Sequence, residues 1–364
     1  MRVLILSANT GGGHNSTAVA LGEQLKKCGA EFEVADTLAF ISERVSEFIS
    51  WGHSYVYRKM PRLFGVGYRY EEKHPVHFIY EQCARGAEAL QERLTAGNYD
   101  AVLCVHVFSG LMMTEVRRRY RNPIPAYFIA TDYTCSPGVS EMKLDAYFIP
   151  HRMLLGEFVR KGDISADQLI PSGIPVRSTF YDVLDKAEAR RLLGLPDRGR
   201  IVLLSCGSMG CGKLERSAMM LFRRLPEDAT LVVLCGRNQK TYDALLPYAS
   251  DRLRVLQFTD RVDAYMSAAD LYLTKPGGLT TTEAIVKRIP MVFINAVPGL
   301  ETRNFQFLTS CGLAEGAKSW RQVVSIVQRN LSDPRLSEVQ ISAMQDFCTQ
   351  NAAELICKRI LKQS

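Results

Sequence analysis

The chain contains 364 residues, of which 47% are hydrophobic and 23% are charged. This length suggests two domains, and this composition argues against a disordered protein. The formal net charge of +7 fits an anionic partner but does not identify one. The longest apolar runs fall well short of the ~20 residues that span a bilayer, and the N-terminus lacks the layout of a signal peptide. We therefore expect neither a membrane-spanning helix nor a leader.

Short apolar segments alternate with longer amphipathic segments along the chain. This alternation predicts parallel strands joined by crossover helices, so the expected fold class is α/β. One predicted helix runs from His14 to Lys27, because Ala18, Leu21 and Leu25 lie on one face at helical spacing. The predicted strands are Val3–Ser7, Phe32–Ala35, Ala101–His106, Ala126–Ala130, Ala146–Ile149, Ile201–Ser205, Thr230–Cys235, Arg254–Gln257, Leu271–Thr274 and Met291–Ile294.

The series of strands restarts in the second half of the chain. A connector is predicted between the halves, where the proline- and glycine-containing segment Pro171–Val176 precedes the charged segment Asp182–Arg200. We predict two Rossmann-like domains, residues 1–177 and 178–364, with the last helix able to pack back on the first domain. Ligands bind beyond the carboxyl ends of the strands in such sheets, so the domains are expected to face each other across a cleft.

Cysteine usage indicates buried thiols and not metal ligands. Ten cysteines are scattered without a Cys-x-x-Cys pair, and several lie inside apolar runs, as expected in a reducing cytoplasm. No second Cys/His pair follows Cys206 and Cys211 at ligand spacing. We therefore predict no metal site.

A glycine-rich segment, Asn9–Ser16, directly follows the first predicted strand. Its Gly12 and Gly13 allow backbone N–H groups to approach an anion or a bound substrate, and His14 is placed on a loop that faces the cleft. A tight strand-to-helix turn is the alternative for the glycines. The segment is a poor dinucleotide-binding motif, because Ser16 replaces the third glycine.

A second glycine-rich segment follows the first strand of the second half. Gly207–Lys213 nearly fits a phosphate-binding P-loop, but Leu214 stands where Mg²⁺ binding requires Ser or Thr. An ATPase is therefore not expected. A loop in which Gly207 and Ser208 contact a ligand without a metal remains compatible with the sequence.

The segment Thr274–Glu283 leads from a predicted strand into a helix. Exposed N–H groups at the helix start can neutralise a diphosphate, and Glu283 can accept two hydrogen bonds from a ribose diol. The alternative is a Pro-Gly turn followed by a glutamate that the helix dipole favours. The predicted donor-binding residues of this segment are Lys275, Pro276, Gly277, Gly278, Leu279, Thr280 and Glu283.

The segment Pro298–Asn304 also follows a strand. Its Glu301 and Asn304 combine carboxylate and amide groups, which suit sugar hydroxyls. The alternative is a surface helix cap.

The segment Phe48–Tyr70 contains four basic residues, seven aromatic residues and no acidic residue. Such a mixture suits a lipid–water interface. Core aromatics with a solvated basic face would give the same composition, as would a site for single-stranded nucleic acid, although no nucleic-acid module is recognisable. Pro61, Gly65 and Gly67 predict a helix followed by an irregular loop. The residues predicted to contact the membrane or acceptor here are Trp51, Tyr55, Arg58, Lys59 and Arg62.

These motifs, in this order, resemble the family of monogalactosyldiacylglycerol synthases and processive diacylglycerol glucosyltransferases, to which lipid-linked peptidoglycan N-acetylglucosaminyltransferases are more distantly related. The matching segments span nearly the whole chain. They are Gly11–His14, Ala130–Thr134, Pro171–Val176, Cys235–Asn238, Phe258–Arg261, Lys275–Thr280 and Pro298–Asn304.

The resemblance implies a GT-B fold, a UDP-sugar held by the second domain, and inversion at the anomeric carbon. It places His14 on the acceptor side, Glu283 on the ribose, and Glu301 and Asn304 on the sugar. His106 and Asp132 occupy cleft positions. An inverting transfer needs a base, for which His14 is the first candidate and Asp132 the second, either as the base or as the group that orients His14. Backbone N–H groups and Arg237 would stabilise the leaving group.

The resemblance also predicts the partners. UDP-glucose or UDP-galactose is expected as co-substrate without a further cofactor, and diacylglycerol or a related lipid as acceptor. The expected location is the cytoplasm, peripheral on the inner face of the cell membrane, with anionic lipid and no nucleic acid as partner. Three alternatives remain open: N-acetylglucosamine transfer to a lipid-linked cell-wall precursor, a UDP-sugar epimerase on the same fold, and a binding or scaffold protein without activity.

Overall fold

The fold is described from a computed structural model that covers residues 1–9, 12–42, 44, 55, 60–72, 74, 77–207 and 214–362. Within these residues, no helix is both long enough and apolar enough to cross a membrane. The chain divides into two compact units. The first comprises Met1–Ser178, Val297–Arg303 and Gln350–Ser364, and the second comprises Thr179–Ala296 and Asn304–Thr349.

The first unit contains a six-stranded parallel sheet. Its strand order is β2-β1-β3-β4-β5-β6, so β1 and β3 pair directly although 93 residues separate Ser7 from Ala101. The strands are β1 Arg2–Ser7, β2 Glu31–Asp36, β3 Ala101–Cys104, β4 Ala126–Ile129, β5 Ala146–Ile149 and β6 Leu169–Pro171.

The second unit contains another six-stranded parallel sheet, in the order β12-β11-β10-β7-β8-β9. The two sheets confirm the predicted α/β class with two Rossmann-like domains. The strands are β7 Arg200–Ser205, β8 Ala229–Leu234, β9 Leu253–Leu256, β10 Leu271–Thr274, β11 Met291–Phe293 and β12 Glu315–Gly316.

Helices connect the strands as crossovers. Those that begin in the first unit are α1 Gly12–Lys27, α2 Pro61–Glu71, α3 His77–Ala84, α4 Ala87–Gly97, α5 Val107–Tyr120, α6 Leu155–Gly162, α12 Leu300–Ser310 and α15 Ala352–Leu361. Those of the second unit are α7 Lys186–Leu192, α8 Leu214–Phe222, α9 Gln239–Leu245, α10 Val262–Ala268, α11 Gly278–Lys287, α13 Trp320–Ser332 and α14 Pro334–Phe347.

Each unit has its own apolar core between sheet and helices. In the first unit, Val3 and Ile5 of β1 share a buried cluster with Leu21 of α1 and Ile356 of α15. The C-terminal helix α15 thus completes the core of the unit that the N-terminus begins. In the second unit, the strand residues pack against α8 and α13 in the same way.

The ten predicted strands all correspond to observed strands, but β6 and β12 were not predicted. Both are edge strands of three and two residues, and β6 ends in Pro171. Strands this short carry no detectable apolar alternation, and proline is tolerated at a sheet edge.

The charged segment Asp182–Arg200, next to the predicted connector, contains α7. Arg190 of this helix is buried, and its guanidinium donates hydrogen bonds to Asp270 Oδ2 at 2.9 Å and to the Ala268 carbonyl at 3.1 Å. A carboxylate partner offsets the cost of burying this charge. The segment is therefore an integral part of the second unit.

The irregular loop predicted in the segment Phe48–Tyr70 from Pro61, Gly65 and Gly67 is wrong for residues 61–71, which form the regular helix α2. Pro61 occupies the first turn, where proline lacks no needed hydrogen bond. Gly65 is required for close packing: a Cβ there would lie 2.4 Å from Cβ of Pro298. The glycine marks a contact between elements of the first unit, not a break in the helix.

Candidate active site

Three neighbouring strands bring the candidate catalytic residues of the first unit together. His14 follows β1, His106 follows β3, and Thr131 and Asp132 follow β4. Because β1, β3 and β4 are adjacent and parallel, their carboxyl ends lie at the same edge of the sheet. All four side chains are half-buried there.

His14 lies in the first turn of α1, which begins at Gly12, two residues before the start predicted at His14. Polar side chains fix the turn to the end of β1. Asn15 accepts a hydrogen bond from Ser7 Oγ at 2.7 Å and donates one to Asn9 Oδ1 at 2.8 Å. The position of His14 is therefore determined by both the strand and the helix.

The hydrogen bonding of His14 selects one tautomer of its ring. Nδ1 lies 2.9 Å from the Val105 carbonyl oxygen, which can only accept, so Nδ1 carries the hydrogen and donates it. Thr131 Oγ1 lies 3.2 Å from the same nitrogen. The neutral ring then has its lone pair on Nε2, the form that a general base requires.

His106 has the opposite tautomer. It is the N-cap residue of α5, and its Nδ1 accepts a hydrogen bond from the Phe108 backbone N–H at 3.1 Å. The hydrogen of the neutral ring is therefore on Nε2. The ring centroids of His106 and His14 are 4.5 Å apart in an edge-to-face arrangement. The two rings thus present one potential base and one potential donor side by side.

Asp132 contributes a carboxylate next to Thr131. Its negative charge affects Tyr68 of α2. Burial raises the pKa of the Tyr68 phenol, and the Glu72 and Asp132 carboxylates raise it further. Asp132 therefore lies near α2 as well as near the histidine pair. Its role as base or as the group that orients His14 stays a prediction.

The candidate donor-binding residues of the second unit also lie at one sheet edge. Gly207 follows β7, Arg237 follows β8, and Lys275 follows β10, and these three strands are neighbours. Gly207 has φ of +75°, which a glycine adopts without strain. Arg237 is exposed, and its guanidinium lies 5.2 Å from the centre of the Phe258 ring.

Helix α11 presents its N-terminus at this edge. Gly277 is its N-cap residue, and a Cβ at this position would meet no atom within 4 Å. Pro276, Gly278, Leu279 and Thr280 complete the turn from which the N–H groups of the helix start project. Glu283 is buried further along the same helix. The arrangement can hold an anion at the helix start.

Glu301 and Asn304 at the start of α12 both have structural hydrogen bonds. Glu301 Oε2 accepts from the Val297 backbone N–H at 2.8 Å, within the first unit. Asn304 is fully buried in the second unit, where its Nδ2 donates to the Pro276 carbonyl at 3.0 Å. Both residues shape backbone segments next to candidate site residues. Their contact with a sugar stays a prediction.

The predicted membrane segment is described only in part. Tyr55 and Arg62 are exposed, as are Leu63, Val66 and Tyr70 on one face of α2. The opposite face of α2 is buried. Four predicted site residues lie outside the described residues: Trp51, Arg58, Lys59 and Ser208.

Sequence reasoning missed the buried face of α2 because Gly65 and Gly67 were interpreted as helix breakers. Gly65, Tyr68 and Glu72 follow each other at the three- and four-residue spacing of one helix face. That spacing is visible in the sequence once the segment is treated as helical. Thr131 lies in the matching segment Ala130–Thr134, but no role was predicted for it, because that role depends on its distance from His14.

Each of the two units matches a family of known proteins. Residues 14–176 match the family model for monogalactosyldiacylglycerol (MGDG) synthase, and residues 201–357 match that for the glycosyltransferase family 28 C-terminal domain. A processive diacylglycerol beta-glucosyltransferase of Bacillus subtilis is 27% identical over all of this chain and 95% of its own length.

Solved structures share the fold over the full length of both chains. The spinosyn rhamnosyltransferase SpnG has a TM-score of 0.69 at 14% identity. A UDP-GlcNAc 2-epimerase from Neisseria meningitidis, bound to UDP-GlcNAc, has a TM-score of 0.63 at 13% identity. With its two parallel sheets and these matches, the chain has the two-domain GT-B fold and belongs to the hexosyltransferase family of monogalactosyldiacylglycerol synthases and processive diacylglycerol glucosyltransferases.

Proposed function

We propose that this enzyme transfers a hexose from a UDP-sugar to a diacylglycerol-type lipid with inversion at the anomeric carbon. The observation that carries the proposal is the His14 ring, whose Nδ1–H donates to Val105 and leaves the lone pair on Nε2. The match to the MGDG synthase model begins at this residue. The name of the Bacillus subtilis relative supplies the acceptor class.

The proposed reaction is a single displacement. The acceptor hydroxyl oxygen attacks the anomeric carbon while the bond from that carbon to the UDP oxygen breaks. His14 Nε2 takes the hydroxyl proton as the new carbon–oxygen bond forms. UDP leaves with the bonding electron pair. Asp132 is the alternative base.

The second unit is proposed to hold the donor. The N-terminal turn of α11 would bind the diphosphate through backbone N–H groups, and Arg237 would add a positive charge. Glu283 would accept hydrogen bonds from the ribose hydroxyls, and Glu301 and Asn304 would contact the sugar. The other proposed donor contacts are Gly207, Ser208, Lys275, Pro276, Gly277, Gly278, Leu279 and Thr280.

The exposed face of α2 is proposed to dock on an anionic membrane surface. Leu63, Val66 and Tyr70 are 52%, 53% and 65% exposed and follow each other at helical spacing. Arg62 and Arg69 are exposed beside them, and no acidic residue occurs from Phe48 to Tyr70. Apolar and aromatic side chains flanked by cations match a headgroup layer that carries negative charge. Peripheral attachment at the inner face of the cell membrane would follow.

The proposed reaction is tested by offering UDP-glucose, UDP-galactose and UDP-N-acetylglucosamine singly with diacylglycerol vesicles and identifying products by mass spectrometry. We expect a hexosyl diacylglycerol from UDP-glucose or UDP-galactose. Conversion of a UDP-sugar without lipid would instead identify an epimerase, and transfer only to a lipid-linked cell-wall precursor would identify the N-acetylglucosamine reaction. UDP-sugar binding without any turnover would contradict catalysis altogether.

Replacing His14 tests the assignment of the base. His14→Ala and His14→Gln should each lower kcat by about 100-fold or more, while the affinity for the UDP-sugar stays unchanged. The glutamine amide can still donate to the Val105 carbonyl but cannot take a proton, so His14→Gln should keep the wild-type melting temperature. Near-normal turnover of both variants would assign the base to Asp132. A large loss of melting temperature in both would indicate a structural role for His14.

Charge reversal on α2 tests membrane docking. Arg62→Glu with Arg69→Glu should weaken binding to phosphatidylglycerol vesicles at least tenfold at low salt, because each cation near an anionic surface contributes about 1 kcal/mol. Val66→Ser should weaken binding at high salt as well. The matched controls are Lys318→Glu with Arg321→Glu, which change the charge equally, and Val339→Ser, which replaces another exposed valine. Equal binding by test and control variants would contradict the proposal.

A further inference from the structure

The buried face of α2 packs on the turn that precedes α12, within the first unit. Gly65 approaches Pro298 so closely that no Cβ fits between them. Gly299, with φ of +105°, lies against the Tyr68 ring, where a Cβ would be 2.9 Å from Cγ. Glu72 at the end of the helix accepts two hydrogen bonds from Arg303, at 3.1 and 2.9 Å. The contacts of Gly65, one turn before Tyr68, and of Glu72, one turn after it, therefore fix the position of the Tyr68 ring.

The hydroxyl of Tyr68 has no hydrogen-bond partner among the described residues, although the side chain is only 8% exposed. A buried hydroxyl without a partner reduces stability, and buried polar groups of proteins are nearly always satisfied. Packing alone would be served equally well by phenylalanine. A bound molecule would satisfy this hydroxyl, which lacks a partner among the described residues.

The electrostatic surroundings limit what this hydroxyl can do. Burial raises the pKa of Tyr68, and the nearby Glu72 and Asp132 carboxylates raise it further. The phenol therefore stays protonated at neutral pH and cannot act as a base. It can donate a hydrogen bond to an uncharged oxygen, at a position close to Asp132, one of the two candidate bases.

The acceptor lipid is the substrate that this position favours. Tyr68 lies on the helix whose opposite face carries Leu63, Val66 and Tyr70, the residues proposed to contact the membrane. A lipid headgroup entering beside this helix offers hydroxyl and ester carbonyl oxygens and no positive charge. The candidate residues for the nucleotide diphosphate instead belong to the second unit.

We propose that the Tyr68 hydroxyl donates a hydrogen bond to a glycerol or ester oxygen of the lipid acceptor and so positions the hydroxyl that receives the sugar. This inference rests on the proposed function. Gly65 and Gly299 serve it by allowing the close packing that fixes the ring, and the Glu72–Arg303 pair holds the end of the helix.

The test compares Tyr68→Phe with Tyr147→Phe. Tyr147 is also buried, but its hydroxyl donates to the Met142 carbonyl at 2.9 Å and accepts from the Leu144 N–H at 3.2 Å. Each variant is assayed with vesicles containing diacylglycerol, with the UDP-sugar that the wild-type enzyme uses, and its melting temperature is measured. Kinetics with respect to acceptor and donor are determined separately.

We expect Tyr68→Phe to lower kcat/KM for diacylglycerol about tenfold while the KM for the UDP-sugar and vesicle binding stay unchanged. Its melting temperature should equal or exceed that of the wild type. Tyr147→Phe should show the reverse: a melting temperature lower by about 2–4 °C and normal acceptor kinetics.

Two results would overturn the inference about Tyr68. Wild-type acceptor kinetics in Tyr68→Phe would rule out the contact between Tyr68 and the lipid. A loss of stability like that of Tyr147→Phe would show that the Tyr68 hydroxyl has a partner within the protein. Both leave the proposed function intact, because the wild-type enzyme still transfers sugar in the same assay. A wild-type enzyme that glycosylates no diacylglycerol with any UDP-sugar would instead contradict the proposed function and this inference together.

Discussion

The parallel pairing of β1 with β3 is the constraint on which the candidate active site depends. It places the end of β1, and hence His14, beside the Val105 carbonyl that immediately follows β3. The neighbouring β4 brings Thr131 to the same ring nitrogen. A histidine on a flexible loop would exchange between tautomers, whereas this one is held in the form that can accept a proton on Nε2. The sheet thus determines the chemistry of a residue that belongs to a helix.

Several residues of helix α2 lower the stability of the fold, which indicates that they are present for function. Each of its glycines costs about 0.5–1 kcal/mol relative to alanine within a helix, and the buried Tyr68 hydroxyl, which has no partner among the described residues, costs about 1–3 kcal/mol. The Glu72–Arg303 pair and the packing of Gly65 against Pro298 offset part of this cost. A helix built only for stability would contain alanine in place of Gly67, where a Cβ would meet no atom within 4 Å, and phenylalanine in place of Tyr68. The sequence of α2 is consistent with the two proposed roles of its faces, membrane docking by the exposed face and contact with the lipid acceptor by Tyr68.

The sequence alone predicted both sheets, because buried parallel strands are continuous apolar runs and need no knowledge of their neighbours. It also predicted which glycine-rich turns and which histidine and aspartate follow those strands. It did not predict that α2 is a helix, because contacts distant in sequence stabilise this helix. The ion-pair partner of Glu72, for example, is Arg303, 231 positions away. Nor could it predict the tautomer of His14, which depends on a backbone carbonyl that only the folded sheet brings close.

The tautomeric state of His14 is the most direct test of this account, because the proposed base requires a lone pair on Nε2. Two-bond ¹H–¹⁵N correlation spectra of the neutral imidazoles, assigned with His14→Gln and His106→Gln variants, distinguish the two ring nitrogens. We expect His14 to carry its hydrogen on Nδ1 and His106 to carry its hydrogen on Nε2. A neutral His14 with its hydrogen on Nε2 would contradict both the Val105 hydrogen bond and the assignment of this residue as the base.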